Sequence, residues 1–436
     1  MKSTVSLASA LRFWLKLGFI SFGGPAGQIS IMHSELVDRR RWISERRFLH
    51  ALNYCMTLPG PEAQQLATYL GWLMHGTWGG IAAGALFVLP SVAILIGLSW
   101  AYMAFGQVPA IAGILAGLKP AVTAIVIFAA WRLGRRAIGS WGFACVAIAA
   151  FIAVYFASIA FPWVVASAAL TGFVGQRIWP QAFRVRAEHE SVPGETEGAL
   201  IGDQTPTPAH ARLSILRVAL PILIGVALWI ATLEWVAALA QGAALYQHMA
   251  GLFTKAALLT FGGAYAVLPY VHHAAVADFH WLSTAQMMDG LALGESTPGP
   301  LIMIVAFIGF VAGWSREAMG ADALLLAGIV GALVATFFTF LPSFVFVLAG
   351  GPIIESTRGN LHLAAPLTGI TAAVVGVIGN LAVFFTAHTL WPNVAQFSVL
   401  NAALMVLALI ALTRFKIGVT SVIAACAGVG WLTSLL

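Results

Sequence analysis

Charge is what this chain has least of. Only 9% of its 436 residues are Asp, Glu, Lys or Arg, where a soluble domain carries roughly a quarter. Hydrophobic residues make up 60%, which excludes both an ordinary water-soluble globule and a disordered chain. Cysteine is scarce too. The three present, Cys55, Cys145 and Cys426, lie in apolar stretches without metal-ligand spacing. They read as small core residues, and neither a disulfide, a metal nor a cofactor is expected. No cleavable leader is expected, because Arg12 and Lys16 interrupt the first apolar stretch. Nor is there a nucleophile–base pair, a phosphate-cradling glycine loop or a nucleic-acid signature, so the chain does not read as an enzyme or a nucleic-acid binder. What remains is an integral membrane protein whose main partner is the lipid bilayer. Its net charge of +6 fits cytoplasmic anchoring at least as well as it fits an anionic substrate.

What the chain does have is one set of punctuation marks, written twice. Phe22-Gly23-Gly24, Trp42-Ile43-Ser44 and Pro59-Gly60-Pro61 recur as Phe261-Gly262-Gly263, Trp281-Leu282-Ser283 and Pro298-Gly299-Pro300, all shifted by 239. Lys16 and Lys255 obey the same shift. Further on, Leu89-Pro90-Ser91 recurs as Leu341-Pro342-Ser343, and Gly117 as Gly369, now shifted by 252, so the second copy carries a short insertion. Duplicated units with helices broken near the bilayer midplane are typical of secondary transporters.

Long apolar runs cover 80–104, 109–131, 141–157, 159–176, 214–240, 323–350, 365–390, 395–412 and 417–435. Most reach the span of about 20 residues that a bilayer needs. The regions 8–37, 46–76, 248–273 and 284–312 are each two short apolar pieces around a Gly/Pro break. A helix of about 15 residues rises only about 22 Å, short of the roughly 30 Å hydrocarbon core. These pieces are therefore halves of broken spans or arms of re-entrant hairpins. Charge separates the two. Loop 33–47 holds Arg39, Arg40, Arg41, Arg46 and Arg47, while its partner 272–286 has no Lys or Arg. Arg132, Arg135 and Arg136 likewise face a partner near Thr386-Ala387-His388 that lacks basic residues. By the positive-inside rule, equivalent loops lie on opposite sides of the membrane. Arg316 is an exception, softened by Glu317 and Asp322.

The expected fold is an all-α polytopic membrane protein with two inverted-topology repeats. Each has two broken or re-entrant helical hairpins plus about four transmembrane helices. Residues 1–177 form the first repeat and 241–436 the second. Residues 178–213, with Glu188, Glu190, Glu195, Glu197 and Asp203 among prolines, read as a flexible cytoplasmic linker. Residues 214–240 supply the connecting helix that inverts the second copy.

The breaks carry the chemistry. Pro25, Pro59, Pro61, Pro298 and Pro300 stop and restart helices. Each restart exposes backbone N–H groups bearing roughly half a positive charge. Such backbone is tolerated at membrane depth only when buried or lining a cavity. Four such N-termini meeting near the midplane would suit an oxyanion. Candidate binding residues are Gly23, Gly24, Gln28, Gly60, Gln64, Gln65, Gly262, Gly263, Tyr265, Ser296, Thr297 and Gly299, with Lys16 and Lys255 adding symmetric charge. Glu62, Glu295 and Asp289 are candidate coupling acids. Plainer roles compete: helix kinks for the glycines and prolines, snorkelling for the lysines, capping for Glu62. Ser44 and Ser283 read as helix N-caps, the latter with capping-box spacing to Gln286. His272 and His273 read as surface residues.

These residues resemble the chromate ion transporter family in its long-chain, two-domain form. The resemblance rests on Phe22-Gly-Gly-Pro-Ala-Gly-Gln28, Leu58-Pro-Gly-Pro-Glu-Ala-Gln-Gln65, Phe261-Gly-Gly263 with Tyr265, and Gly294-Glu-Ser-Thr-Pro-Gly-Pro300. It implies export of chromate, a tetrahedral dianion similar to sulfate, from the cytoplasm across the inner membrane. The drive would be the membrane potential or a proton gradient, and the outcome chromate resistance. A carrier of sulfate or another oxyanion, and an anion channel on the same scaffold, stay open as alternatives. So does a homodimer, although two fused halves suffice for a full transporter.

Overall fold

The computed structural model describes residues 5–22, 24–157, 159–184, 199–202, 205–206, 208–239, 242–261, 263–356, 364–391 and 396–435. Among them the chain is all helical, apart from an isolated bridge between Ile43 and Ile201. The first half contains α1 (Leu7–Ile20), α2 (Gly24–His33), α3 (Glu45–Thr57), α4 (Glu62–Phe105), α5 (Pro109–Ala137), α6 (Trp141–Ala157) and α7 (Phe161–Ile178). The connecting helix is α8 (Ile215–Ala237). The second half contains α9 (Ala243–Leu259), α10 (Leu268–His272), α11 (Thr284–Ser296), α12 (Ile304–Ser315), α13 (Leu324–Ser356), α14 (Ala364–Leu390), α15 (Val399–Thr413) and α16 (Val419–Thr433). Among the described residues, five helical stretches, centred on α4, α5, α8, α13 and α14, are long and apolar enough to cross a membrane. α15 and α16, at 15 residues each, are shorter than a straight crossing requires. The chain is an all-α polytopic membrane protein.

Local geometry repeats along with the sequence. Ser34–Arg39 and His273–Asp278, 239 apart, are both π-helical. The following turns place Arg41 at φ 50° and His280 at φ 51°, a left-handed conformation uncommon for non-glycine residues. Ser44 and Ser283 then cap α3 and α11, and Ser283 with Gln286 forms a complete capping box. Arg316 donates to the Phe279 and His280 carbonyls, at 3.2 and 2.9 Å. Its charge is thus used to hold the second turn. α4 is two helices joined at a kink, where His75 and Gly76 leave helical geometry. In the second copy this place is taken by the loop and short turn between α12 and α13, which accounts for the insertion.

The halves are interlaced. α5 packs against α15 and α16 of the second half, and α14 packs against α6 and α7 of the first. The equivalent glycines make both contacts close. A Cβ on Gly117 would lie 2.2 Å from the Cys426 carbonyl oxygen, and one on Gly369 would lie 2.5 Å from that of Ala168. Helices that approach this closely in a membrane need small residues at the crossing.

Several expectations change. Arg47 is not a loop charge: it lies in the first turn of α3, buried. His272 is not a surface residue, because it is half-buried against the Phe384 and Phe385 rings. Cys145 is exposed on α6 rather than in the core, whereas Cys55 and Cys426 are buried. Part of the segment read as a linker is docked. Leu200 and Ile201 donate to the Arg41 and Trp42 carbonyls, and Ser44 donates back to Ile201. Glu188, Glu190, Glu195, Glu197 and Asp203 lie outside the described residues.

Candidate functional site

The breaks of one half bond to the breaks of the other. Gly60 donates its N–H to the Thr260 carbonyl at 2.7 Å, and Gly299 donates to the Ser21 carbonyl at 2.8 Å. Ser21 and Thr260 directly precede the two Phe-Gly-Gly motifs and end α1 and α9. Each Pro-Gly-Pro thus caps the half-helix of the opposite repeat. The N–H groups of Gly60 and Gly299, expected to face an anion, are engaged in this exchange. Both glycines have positive φ, 130° and 108°, where a side chain is strained.

Polar side chains gather around this double crossing. Gln28 donates its amide to the Gly299 and Ser21 carbonyls. Gln65 donates its amide to the Pro59 carbonyl at 2.8 Å. Ser343 sits against Gly60 and Ser91 against Gly299, on the two matched Leu-Pro-Ser motifs. Gln28, Gln65, Ser21, Ser91 and Ser343 are all fully buried. Gln28 Oε1, Gln65 Oε1 and the hydroxyls of Ser21, Ser91 and Ser343 have no partner within the protein. Gln64 is beside them on α4, its amide on Thr68 and its Oε1 unpartnered. Natural proteins rarely leave buried polar atoms unsatisfied, and here they concentrate at one crossing. The three hydroxyls and a Gln64 amide turned about its axis offer donors, as an anion requires.

Other candidates fall elsewhere. Lys16 and Lys255 are exposed on α1 and α9, opposite the stripes that face the core. Gly23 and Gly262 lie outside the described residues. Gly24 and Gly263 start the second arms with φ 70° and 97°. Ser296 and Thr297 donate their hydroxyls to the Leu293 and Gly294 carbonyls, closing the end of α11. Tyr265 donates to the buried Glu295, tying together the two breaks of the second repeat, with Arg132 in electrostatic range. Asp289 accepts from Tyr102 of the first half at 3.1 Å. Glu62 begins α4, half-buried and within electrostatic range of Cys55.

Sequence reasoning missed Ser21, Thr260, Ser91 and Ser343. Ser21 and Thr260 directly precede the matched Phe-Gly-Gly breaks, and Ser91 and Ser343 belong to the Leu-Pro-Ser motifs, which served only to measure the repeat. It also missed Glu355, near the end of α13. Glu355 binds Arg47 at 2.8 Å and the Tyr69 hydroxyl at 2.6 Å.

On the cytoplasmic side of the topology expected above, Glu35 accepts from Arg39 and Arg40 in the π-helical turn. Burial opposes its ionisation, but hydrogen bonds and charge from Arg40 and Arg39 hold it below the usual carboxylate range.

The profile of the family described as Chromate transporter matches residues 8–173 and 247–431. The chain belongs to the chromate transporter family. Its two matched stretches coincide with the two interlaced halves, and the transporter keeps the breaks in both. The chromate transport protein of Pseudomonas aeruginosa is 32% identical over 426 residues, covering 96% of this chain and 90% of that one. The probable chromate transport protein of Synechococcus elongatus is 29% identical over 390 residues, covering 88% and 86%. An uncharacterised transporter of Bacillus subtilis is 29% identical over 128 residues, which is 65% of its length but 29% of this chain. No solved structure matches the transporter.

Proposed function

We propose that the transporter carries chromate out of the cytoplasm, with the oxyanion held where the four breaks cross. The observation that carries this reading is the group of buried, unpartnered hydroxyls of Ser21, Ser91 and Ser343 at the crossing, with Gln64 beside them. The chromate transport protein of Pseudomonas aeruginosa and the probable chromate transport protein of Synechococcus elongatus, similar over most of the chain, support chromate as the substrate. Lys16 and Lys255 raise the local positive potential along the first half-helices. Glu62, Glu295 and Asp289 are the acids available to couple transport to protons. An inside-negative potential favours exit of a dianion by about 2.3 kcal/mol per charge per 100 mV, so export can run without a proton. The protein resides in the inner membrane, and resistance to chromate follows from export.

The test is chromate flux into inside-out membrane vesicles, with and without a proton-motive force, against sulfate as competitor. Saturable, energy-dependent accumulation supports export. Sulfate or another oxyanion moving in place of chromate would reassign the substrate, and non-saturating flux without counterflow would indicate a channel. Replacing Lys16 and Lys255 together by Gln should raise the half-saturating concentration. Unchanged flux and affinity would remove both from the substrate's path.

A further inference from the structure

Arg47, in the first turn of α3, is the most deeply buried cation among the described residues. It is 4% exposed, and its Nη1 donates to Glu355 of the opposite repeat at 2.8 Å. The rest of its guanidinium is unanswered: Nε and Nη2 have no partner within the protein. A buried arginine strongly requires satisfied donors. The unused atoms are adjacent N–H groups on one edge of the fork, an edge suited to two oxygens of a carboxylate, phosphate or similar oxyanion. Glu355 also accepts from Tyr69, at 2.6 Å. Tyr69 lies one turn beyond Gln65 on α4, about 6 Å along the helix. Gln65 itself lines the crossing of the breaks. Arg47 also comes six residues after the arginine-rich turn 39–41, on the side read as cytoplasmic.

We propose that Arg47 is an oxyanion-binding residue at the cytoplasmic approach to the crossing, receiving a tetrahedral dianion on its Nε–Nη2 edge while Glu355 holds the other. This inference rests on the oxyanion-transport reading and adds a second station to it. Glu355 and Tyr69 keep the guanidinium oriented, and the negative charge of Glu355 weakens retention, so that the anion moves on. Arg47 thus limits affinity from the cytoplasmic side.

The test uses the full-length protein in proteoliposomes and in detergent, with chromate and sulfate as probes. Arg47→Gln combined with Glu355→Gln removes both buried charges together and should preserve the fold. The half-saturating chromate concentration should rise about tenfold or more in this variant, as for loss of charged hydrogen bonds. Maximal flux should change less. Arg47→Lys keeps the charge without the fork and should also weaken binding. Glu355→Gln alone should tighten it. A folded double variant, or Arg47→Lys, with unchanged half-saturation would overturn the role of Arg47. If the wild-type protein moves no oxyanion at all, the transport reading itself falls, and this inference with it.

Discussion

The hydroxyl of Ser343 occupies the place where Gly60 would carry a side chain, 2.4 Å from an ideal Cβ. Ser91 does the same at Gly299, at 2.9 Å. Gly60→Ala and Gly299→Ala should therefore each cost roughly 2 kcal/mol or more, from left-handed strain plus displacement of the serine. Transport should largely disappear. Gly24→Ala, at φ 70° with open space around it, should cost only about 1 kcal/mol. Thermal melting of the purified variants, paired with flux, checks the order.

Tyr102 and Asp289 join α4 to α11 across the repeats. Asp289 Oδ1 has no partner, and Oδ2 depends on the Tyr102 hydroxyl. Tyr102→Phe leaves the buried carboxyl without that donor and should destabilise the protein by about 1–3 kcal/mol. Asp289→Asn removes the charge while keeping an acceptor, and its melting point should fall less.

The close crossing at Gly117 should tolerate no side chain. Gly117→Val pushes α5 from α16 and should cost about 1–3 kcal/mol by overpacking. Gly97, with nothing within 4 Å of its missing Cβ, is the control. Gly97→Ala should melt at or above the wild-type temperature, since alanine is the better helix former.

His210 gives the docking of the short turn Ala209–Ala211 a pH dependence. Its ring packs on Trp72 at 5.4 Å between centroids. Burial is the chief cause holding its pKa below the ordinary 6.5; the Arg217 charge adds to this, while backbone hydrogen bonds at Trp72 and Leu73 and the Glu355 charge oppose it. The undocked histidine therefore binds the extra proton. Docking is strongest above the ordinary value and weakens as pH falls through it. Ala211→Cys, buried in the docked state, should label faster at about pH 6 than at about pH 8 once thiol reactivity is normalised. His210→Gln should flatten that difference.

The helices were legible because their punctuation is local. Apolar runs, Ser44, Ser283 and the Gly/Pro breaks each act within a few residues. The crossing was not legible, because nothing in a repeat says which break of one copy meets which break of the other. Gln28 reaches Gly299 across 271 positions, and Arg47 reaches Glu355 across 308. Arg47 was also misplaced for a physical reason. Charge asymmetry between loops counts cations and is blind to burial, so an arginine at the mouth of a hairpin looks the same whether it faces water or a carboxylate. His272 was misread similarly, its aromatic partners lying more than a hundred residues away at Phe384 and Phe385.

Interlaced packing also sets an order of assembly. α5 leaves the ribosome long before α15 and α16, the helices that cover it, and α6 and α7 wait likewise for α14. Until the last segments are inserted, the early ones present small-residue faces to lipid. A chain consisting of one half alone must find a second copy before it can bury those faces.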